Sequence, residues 1–233
     1  MRLSAPIYKL KRDAKSLARS ASIPLHQALD RVAASEGFQS WSHLSSTLRH
    51  ARPAARVLDA SRPGEMLLLA ARPGHGKTRL GLEMATLATG DGGGAFFTLD
   101  FTERDVAFHL ETLGLAGAEG LVIDTSDEIC ADYIIDRLDY APGASLAVVD
   151  YLQLLDQRRT TPDLAAQLRR LKRHAARTGT RFAMIAQIDR AFDLSGRAMP
   201  TLSDLRLPNP VDLSLFDWAC FLHEGEIQMA RAA

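Results

Sequence analysis

Lys77 and Thr78 close the stretch Met66-Leu67-Leu68-Leu69-Ala70-Ala71-Arg72-Pro73-Gly74-His75-Gly76-Lys77-Thr78. In it an apolar run passes through a Pro/Gly-rich turn into an amphipathic segment, Arg79 to Thr89. Strand, glycine-rich turn, Lys-Thr and helix is the order in which a chain cradles phosphate groups. Glycines let backbone N–H groups approach phosphate oxygens, and the helix N-terminus adds partial positive charge. Lys77 can then reach the β- and γ-phosphates of a nucleotide, and the Thr78 hydroxyl can ligate Mg²⁺. Arg72, Pro73, Gly74, His75, Gly76 and Arg79 complete the expected loop, whose first glycine position is occupied by Ala71. The plainer account, a tight turn with an exposed lysine, is disfavoured by the strand signal before the motif and the helix signal after it.

Three further places offer chemistry at the ends of expected strands, where open α/β sheets bind their ligands. Asp150 follows the apolar run Leu146 to Val149, the Walker B pattern, and its carboxylate would hold Mg²⁺. Asp100 or Glu103 can orient an attacking water as general base. Gln187, after Phe182 to Ala186, can sense a γ-phosphate; a surface amide is the plain alternative.

The elements that must position these groups alternate. Strands are expected at Met66–Ala71, Ala95–Leu99, Leu121–Ile123, Leu146–Val149 and Phe182–Ala186. Helices are expected after the glycine-rich loop, from the cap Thr102 to about Leu113, from Asp127 to Leu138 and from Pro162 to Arg177. Such alternation implies an α/β fold with a mainly parallel sheet covered on both faces. Asp217 to Met229 reads as a closing hairpin around Glu224-Gly225. Residues from about Ile7 to Arg49 read instead as a small helical domain. Ile7, Leu10, Ala14, Leu17 and Ala18 recur at helical spacing, Ser22-Ile23-Pro24 breaks the helix, and Phe38, Trp41, Leu44 and Leu48 supply a core. Arg52 to Arg56 looks like the linker, so domains are expected at 1–52 and 57–233.

With 46% hydrophobic and 24% charged residues among 233, the composition is that of a globular protein rather than a disordered chain. No apolar stretch approaches the roughly 20 residues of a membrane helix, and no signal-peptide core opens the chain. Cys130 and Cys220 are isolated, which fits a reducing cytoplasm. A net charge of zero hides an asymmetry. Before residue 60, Arg2, Lys9, Lys11, Arg12, Lys15, Arg19, Arg31, Arg49, Arg52 and Arg56 face only Asp13, Asp30, Glu36 and Asp59. A basic front on an acidic body suits a polyanion partner. A second basic face, Arg169, Arg170, Lys172 and Arg173, lies on the expected helix after Pro162 and is a candidate nucleic-acid contact. The seven histidines show no paired metal spacing.

The segments "RPGEMLLLAARPGHGKT", "FFTLDFTERDVAFHL", "LAVVDYLQLL", "RFAMIAQIDR" and "MPTLSDLR" occur in the order and rough spacing of the RecA-like motor domain of DnaB-type replicative helicases, which the chain resembles over about residues 58–206. The resemblance implies a RecA-like fold and ATP hydrolysis coupled to movement along single-stranded DNA as a ring, usually a hexamer. By matching position it implies phosphate and Mg²⁺ binding by Lys77 and Thr78, a Walker B role for Asp150, a sensor role for Gln187 and a base role for Asp100. Arg169 falls near the family's arginine in the corresponding helix. Three departures accompany it. The family has glutamate where this chain has Asp100. Its Lys-x-Arg signature, which supplies a finger to a neighbouring subunit, has no clear equivalent in Glu226 to Ala233, leaving Arg190, Arg197 and Arg206 as candidates. Its N-terminal domain is expected to be replaced by the basic helical module, with "ALDRVAASEGFQSWSHL", which resembles a short module at the front of bacterial and mobile-element proteins. That module is open to DNA contact or to docking of a protein partner.

Overall fold

The structure is a computed structural model describing residues 3–5, 7–50, 52–140, 143–156, 162–207, 209 and 211–232. The side chains of Ile7, Leu48 and Arg49, and all of Arg2 and Ala233, lie outside the described residues. The roles expected of them from sequence are therefore carried no further. The chain forms two compact units, Met1–Arg52 and Pro53–Ala233.

The first unit holds α1 (Ile7–Ser20), α2 (Leu25–Ser35) and α3 (Trp41–His50). On α1, Leu10 and Ala14 are one turn apart and buried. Pro24 precedes α2 with φ −57°, a value its ring fixes in advance. Ala33, Phe38 and Leu44 form the core, with Leu3 and Trp41 packed against it. The Asp30 carboxylate accepts the Trp41 N–H at 2.8 Å, satisfying one of the amides that a helix start leaves without a partner.

In the second unit seven strands form one sheet: β1 (Met66–Ala71), β2 (Gly94–Thr98), β3 (Leu121–Asp124), β4 (Leu146–Asp150), β5 (Arg181–Gln187), β6 (Trp218–His223) and β7 (Glu226–Arg231). Their order is β3-β2-β4-β5-β1-β6-β7. All pairs are parallel except the β6–β7 hairpin. The intervening helices are α4 (Pro53–Ala60), α5 (Lys77–Ala88), α6 (Glu103–Thr112), α7 (Ala131–Tyr140) and α8 (Leu164–Thr178).

Successive strand side chains point to opposite faces, and each face has its own core. Met66, Leu68, Ala70, Phe97, Val149 and Phe182 meet α7 and α8. Leu67, Leu69, Phe96, Val148 and Ile185 meet α4, α5 and α6. Each fully buried Leu, Val, Ile or Phe contributes roughly 1.5–3 kcal/mol, so strands β1 and β4, buried at every position, anchor the domain. Helix α5 lies very close to the sheet. A Cβ at Gly94 would stand 1.9 Å from the Ala85 carbonyl oxygen, so only glycine fits there.

Two expectations are corrected. The expected linker Arg52–Arg56 is mostly helix: Pro53 opens α4, where its missing N–H is harmless, and Ala54, Ala55, Val57 and Leu58 are buried. Helix α7 begins at Ala131 rather than Asp127. The Asp124 carboxylate accepts the Ser126 N–H and the Ser126 hydroxyl accepts the Glu128 N–H. Such side-chain bonds compete with helical ones and delay the helix. Gln167 of α8, 1% exposed, then accepts the Ala131 N–H at 2.9 Å and donates to the carbonyls of Leu155 and Pro162.

Candidate functional site

The glycine-rich turn leaves β1 at Ala71, which is still strand and fully buried. That explains why the motif's first glycine can be alanine: extended backbone asks nothing special of the residue. Gly74 and Gly76 instead have φ of +81° and +85°, conformations that favour glycine. Gly76 is the N-cap of α5 and makes no side-chain capping bond. The first N–H groups of the helix therefore have no cap to satisfy them, and they point where an anion would sit. The space above the turn is open, because a Cβ at Gly74 or Gly76 would meet nothing within 4 Å.

Thr78, in the first turn of α5, donates its hydroxyl to Asp150 Oδ2 at 2.7 Å. Asp150 ends β4 and is 2% exposed. Its pKa rises to about 6: burial is the main cause and the Asp100 carboxylate adds to it, while the Thr78 hydroxyl, Lys77 and His109 oppose it. Thus Lys77, Thr78, Asp100 and Asp150 converge on the carboxyl ends of β2 and β4 and the amino end of α5. The Thr78 hydroxyl and the Asp150 carboxylate are the hard oxygen ligands that Mg²⁺ prefers, and Mg²⁺ sites of this kind are completed by substrate phosphates and water. A carboxylate held buried, whose charge the Thr78 hydroxyl, Lys77 and His109 offset only in part, fits such an ion. Among the described residues no three His, Cys, Asp or Glu side chains gather into a self-sufficient metal site.

Asp100 is exposed, two residues beyond β2, with its N–H donated to Thr98 Oγ1 at 3.2 Å. Glu103 is the first residue of α6, exposed, and is not among the groups that act on Asp150. Gln187 ends β5 opposite Ala71. It lines a cavity of about 440 Å³ with Tyr151, Gln153, Arg206 and Leu207. Its carbonyl accepts the Arg206 N–H at 2.8 Å.

Arg72, His75 and Arg79 are engaged by the protein itself. The Arg72 guanidinium makes a bidentate pair with Asp193 at 3.0 Å and donates to the Ile188 carbonyl at 3.1 Å. Arg79 pairs with Glu83 at 3.3 Å. Pro73 is exposed. The His75 ring stacks on His223 with centroids 5.0 Å apart, and its Nδ1 accepts the Glu224 N–H at 3.2 Å. Beside it a cavity of about 290 Å³ opens between Gly76, Arg79 and Leu80 on one side and Leu222 and Ile227 on the other.

On α8, Arg170 pairs with Asp132 at 2.6 Å, Lys172 pairs with Asp217, and Arg169 acts on Asp212. Arg173 is exposed. Of the finger candidates, Arg197 is tied to Asp204 and lies over Phe192. Arg190 and Arg206 are exposed.

Sequence reasoning missed His109 and Tyr151. His109 of α6 packs edge-on against Phe101 at 5.3 Å and acts on Asp150. Tyr151 lies beside both Asp100 and Arg206; burial and the Asp100 charge raise its pKa above the ordinary phenol value. Helical spacing from the cap Thr102 was the one available signal for His109. The His75–His223 stack left none, because its two strand ends are far apart in the chain.

Parallel sheet, glycine turn, α5 and Asp150 at the end of β4 together make this a RecA-like fold. One solved ATPase domain matches it with a TM-score of 0.58 at 20% identity, over 70% of this chain and 71% of that one. A DnaB-like replicative helicase, solved in a study of its interactions with primase, matches with a TM-score of 0.60 at 19% identity. That match covers 92% of this chain and 65% of the helicase's length. No protein-family model matches the chain, and no curated protein matches it significantly. Among the described residues no helix is long and apolar enough to cross a membrane.

Proposed function

We propose that the second unit binds ATP with Mg²⁺ at the amino end of α5 and hydrolyses it slowly, as an ATPase of the replicative-helicase type acting on or near DNA. The observation that carries this reading is the 2.7 Å bond between Thr78 and the buried Asp150 beneath an open, uncapped helix start. In this reading the backbone N–H groups of Gly74, Gly76, Lys77 and Thr78 cradle the phosphates and Lys77 neutralises the β- and γ-oxygens. Thr78 and Asp150 hold Mg²⁺, which supplies charge neutralisation when bound. The 290 Å³ cavity, with Leu80, Leu222 and Ile227 in its walls, suits the flat aromatic face of a nucleobase.

Asp100 accepts a proton from the attacking water, and Gln187, at the end of β5, registers the γ-phosphate. Glu103, turned outward at the start of α6, is the less favoured base. Slow turnover follows from two features. Aspartate is one methylene shorter than the glutamate of the resembling family, and misplacement by about 1 Å can cost about a hundredfold. An arginine finger contributes roughly 10³–10⁵ in rate, and Arg197 is already engaged by Asp204.

A second reading, a nucleotide-gated interaction module without turnover, is favoured by the exposure of Asp100. Single-turnover hydrolysis with and without single-stranded DNA, using Lys77→Ala as control, separates the two. Mg²⁺-dependent, Lys77-dependent turnover supports the ATPase; binding without turnover supports the switch; neither refutes both. A hexameric ring, single-stranded DNA, a protein partner for the first unit and a cytoplasmic location rest on the helicase resemblance and the charge asymmetry. Mass measurement with and without ATP tests the ring.

A further inference from the structure

Helix α1 carries four cations, Lys11, Arg12, Lys15 and Arg19, on one side. At 3.6 residues per turn they fall within an arc of about 100°, centred roughly opposite Leu10 and Ala14. All four are exposed, and Leu10 and Ala14 are buried. Among the described residues none of the four side chains has a hydrogen bond or ion pair. The acids of this unit are elsewhere. Asp13 lies on the other flank of α1, one turn from Lys9. The Asp30 carboxylate holds the Trp41 N–H, and Glu36 holds Ser4.

Helix α8 is the instructive contrast. It is as rich in arginine and lysine, yet Arg170, Lys172 and Arg177 pair with Asp132, Asp217 and Asp139, and Arg169 acts on Asp212. Three of its cations are therefore held by the body's own carboxylates, whereas none of the four on α1 is. Four like charges on α1 repel one another at some cost to the helix, and no internal partner among the described residues offsets that cost.

We infer that the α1 row binds the phosphate backbone of duplex DNA without regard to sequence. A fixed row of cations suits a fixed row of phosphates, and a duplex offers one charge per about 1.7 Å of its axis, whereas a flexible single strand must first be ordered. Lys11, Lys15 and Arg19 follow one another at about 6 Å along the helix, so each can meet a different phosphate. The inference concerns the first unit and stands whether or not the second turns over ATP.

The test is fluorescence anisotropy of the full chain with a labelled duplex of about 20 base pairs across a salt series. Four phosphate contacts give a slope of log affinity against log salt of about −3.6, and a loss of about 150-fold between roughly 50 and 200 mM salt. The variant Lys11→Gln, Arg12→Gln, Lys15→Gln, Arg19→Gln is expected to lose at least about 150-fold in affinity at about 50 mM salt, and any binding left to have a slope near zero. Lys11→Arg with Lys15→Arg keeps wild-type affinity because charge is kept. Arg169→Gln with Arg173→Gln keeps the wild-type slope. Unchanged affinity and slope in the fourfold variant would overturn the inference, as would loss of binding in the charge-keeping pair or in the α8 pair. Tighter binding of the single strand than of the duplex would overturn the choice of partner. Nucleotide binding measured on the same fourfold variant reports separately on the second unit.

Discussion

Replacing Asp150 with asparagine should move the ligand-free and ligand-bound proteins in opposite directions. The carboxylate is 2% exposed and its pKa stands at about 6 against an ordinary 3.8, burial outweighing the help of Thr78 and Lys77. At roughly 1.4 kcal/mol per pKa unit, the charged form costs the ligand-free fold about 3 kcal/mol. Between pH 3.8 and about 6 the folded state binds more protons than the unfolded state. The stability tied to the protonated carboxyl is therefore complete below about 3.8 and gone once pH has risen through about 6. Asparagine keeps an acceptor for the Thr78 hydroxyl and never ionises. At about pH 8 the ligand-free variant should exceed the wild type by up to about 3 kcal/mol, and near pH 5 the gap should narrow. With Mg²⁺ and a non-hydrolysable ATP analogue the order reverses, because the charge that burdens the empty fold is what the cation requires. Urea unfolding at these two pH values, with and without Mg²⁺-nucleotide, reads all four corners. A variant no more stable than wild type at the higher pH would refute the electrostatic reasoning. A variant that keeps the full Mg²⁺-nucleotide stabilisation would refute the assignment of Asp150 as a metal ligand.

Asp100→Glu restores the longer base and should raise single-turnover hydrolysis by up to about a hundredfold; an unchanged or lower rate would remove Asp100 from that role. Gln167→Leu deletes three hydrogen bonds inside the α7–α8 core and strands the Ala131 amide, so unfolding stability should fall by about 2–4 kcal/mol. A change within about 0.5 kcal/mol, the scatter of surface substitutions, would show that these backbone groups find other partners. Burial pushes the Cys220 thiol up to about 12, so a thiol reagent at mildly alkaline pH should label Cys130 first and reach Cys220 only after unfolding; equal labelling rates would contradict the packing of β6.

The sheet was readable because its strands are unusually apolar. Met66 to Ala71 and Leu146 to Asp150 are buried at every position, and a short apolar run between helical segments is best satisfied as a strand covered on both faces. The cap Thr102 was readable too, since its bond to the Asp105 N–H is local. What escaped depends on distant partners. Arg52 to Arg56 looks like a linker until the core that Ala54, Val57 and Leu58 share with α5 is seen. Gln167 looks like one more polar residue on a basic helix until Ala131, Leu155 and Pro162 surround it. The site divides the same way. Lys77 and Thr78 follow from motif spacing and Asp150 from a strand-end pattern, whereas the occupation of Arg72 by Asp193, 121 residues away, leaves no trace in local sequence.

The central claim, that a triphosphate and a divalent ion are held between the Gly76 turn and Asp150, is tested most directly by calorimetric titration of a non-hydrolysable ATP analogue into the full chain with Mg²⁺ and with chelator. The account predicts saturable one-to-one binding that needs Mg²⁺ and is lost in Lys77→Ala. Binding that is indifferent to both, or no binding to a folded wild-type chain, would contradict it.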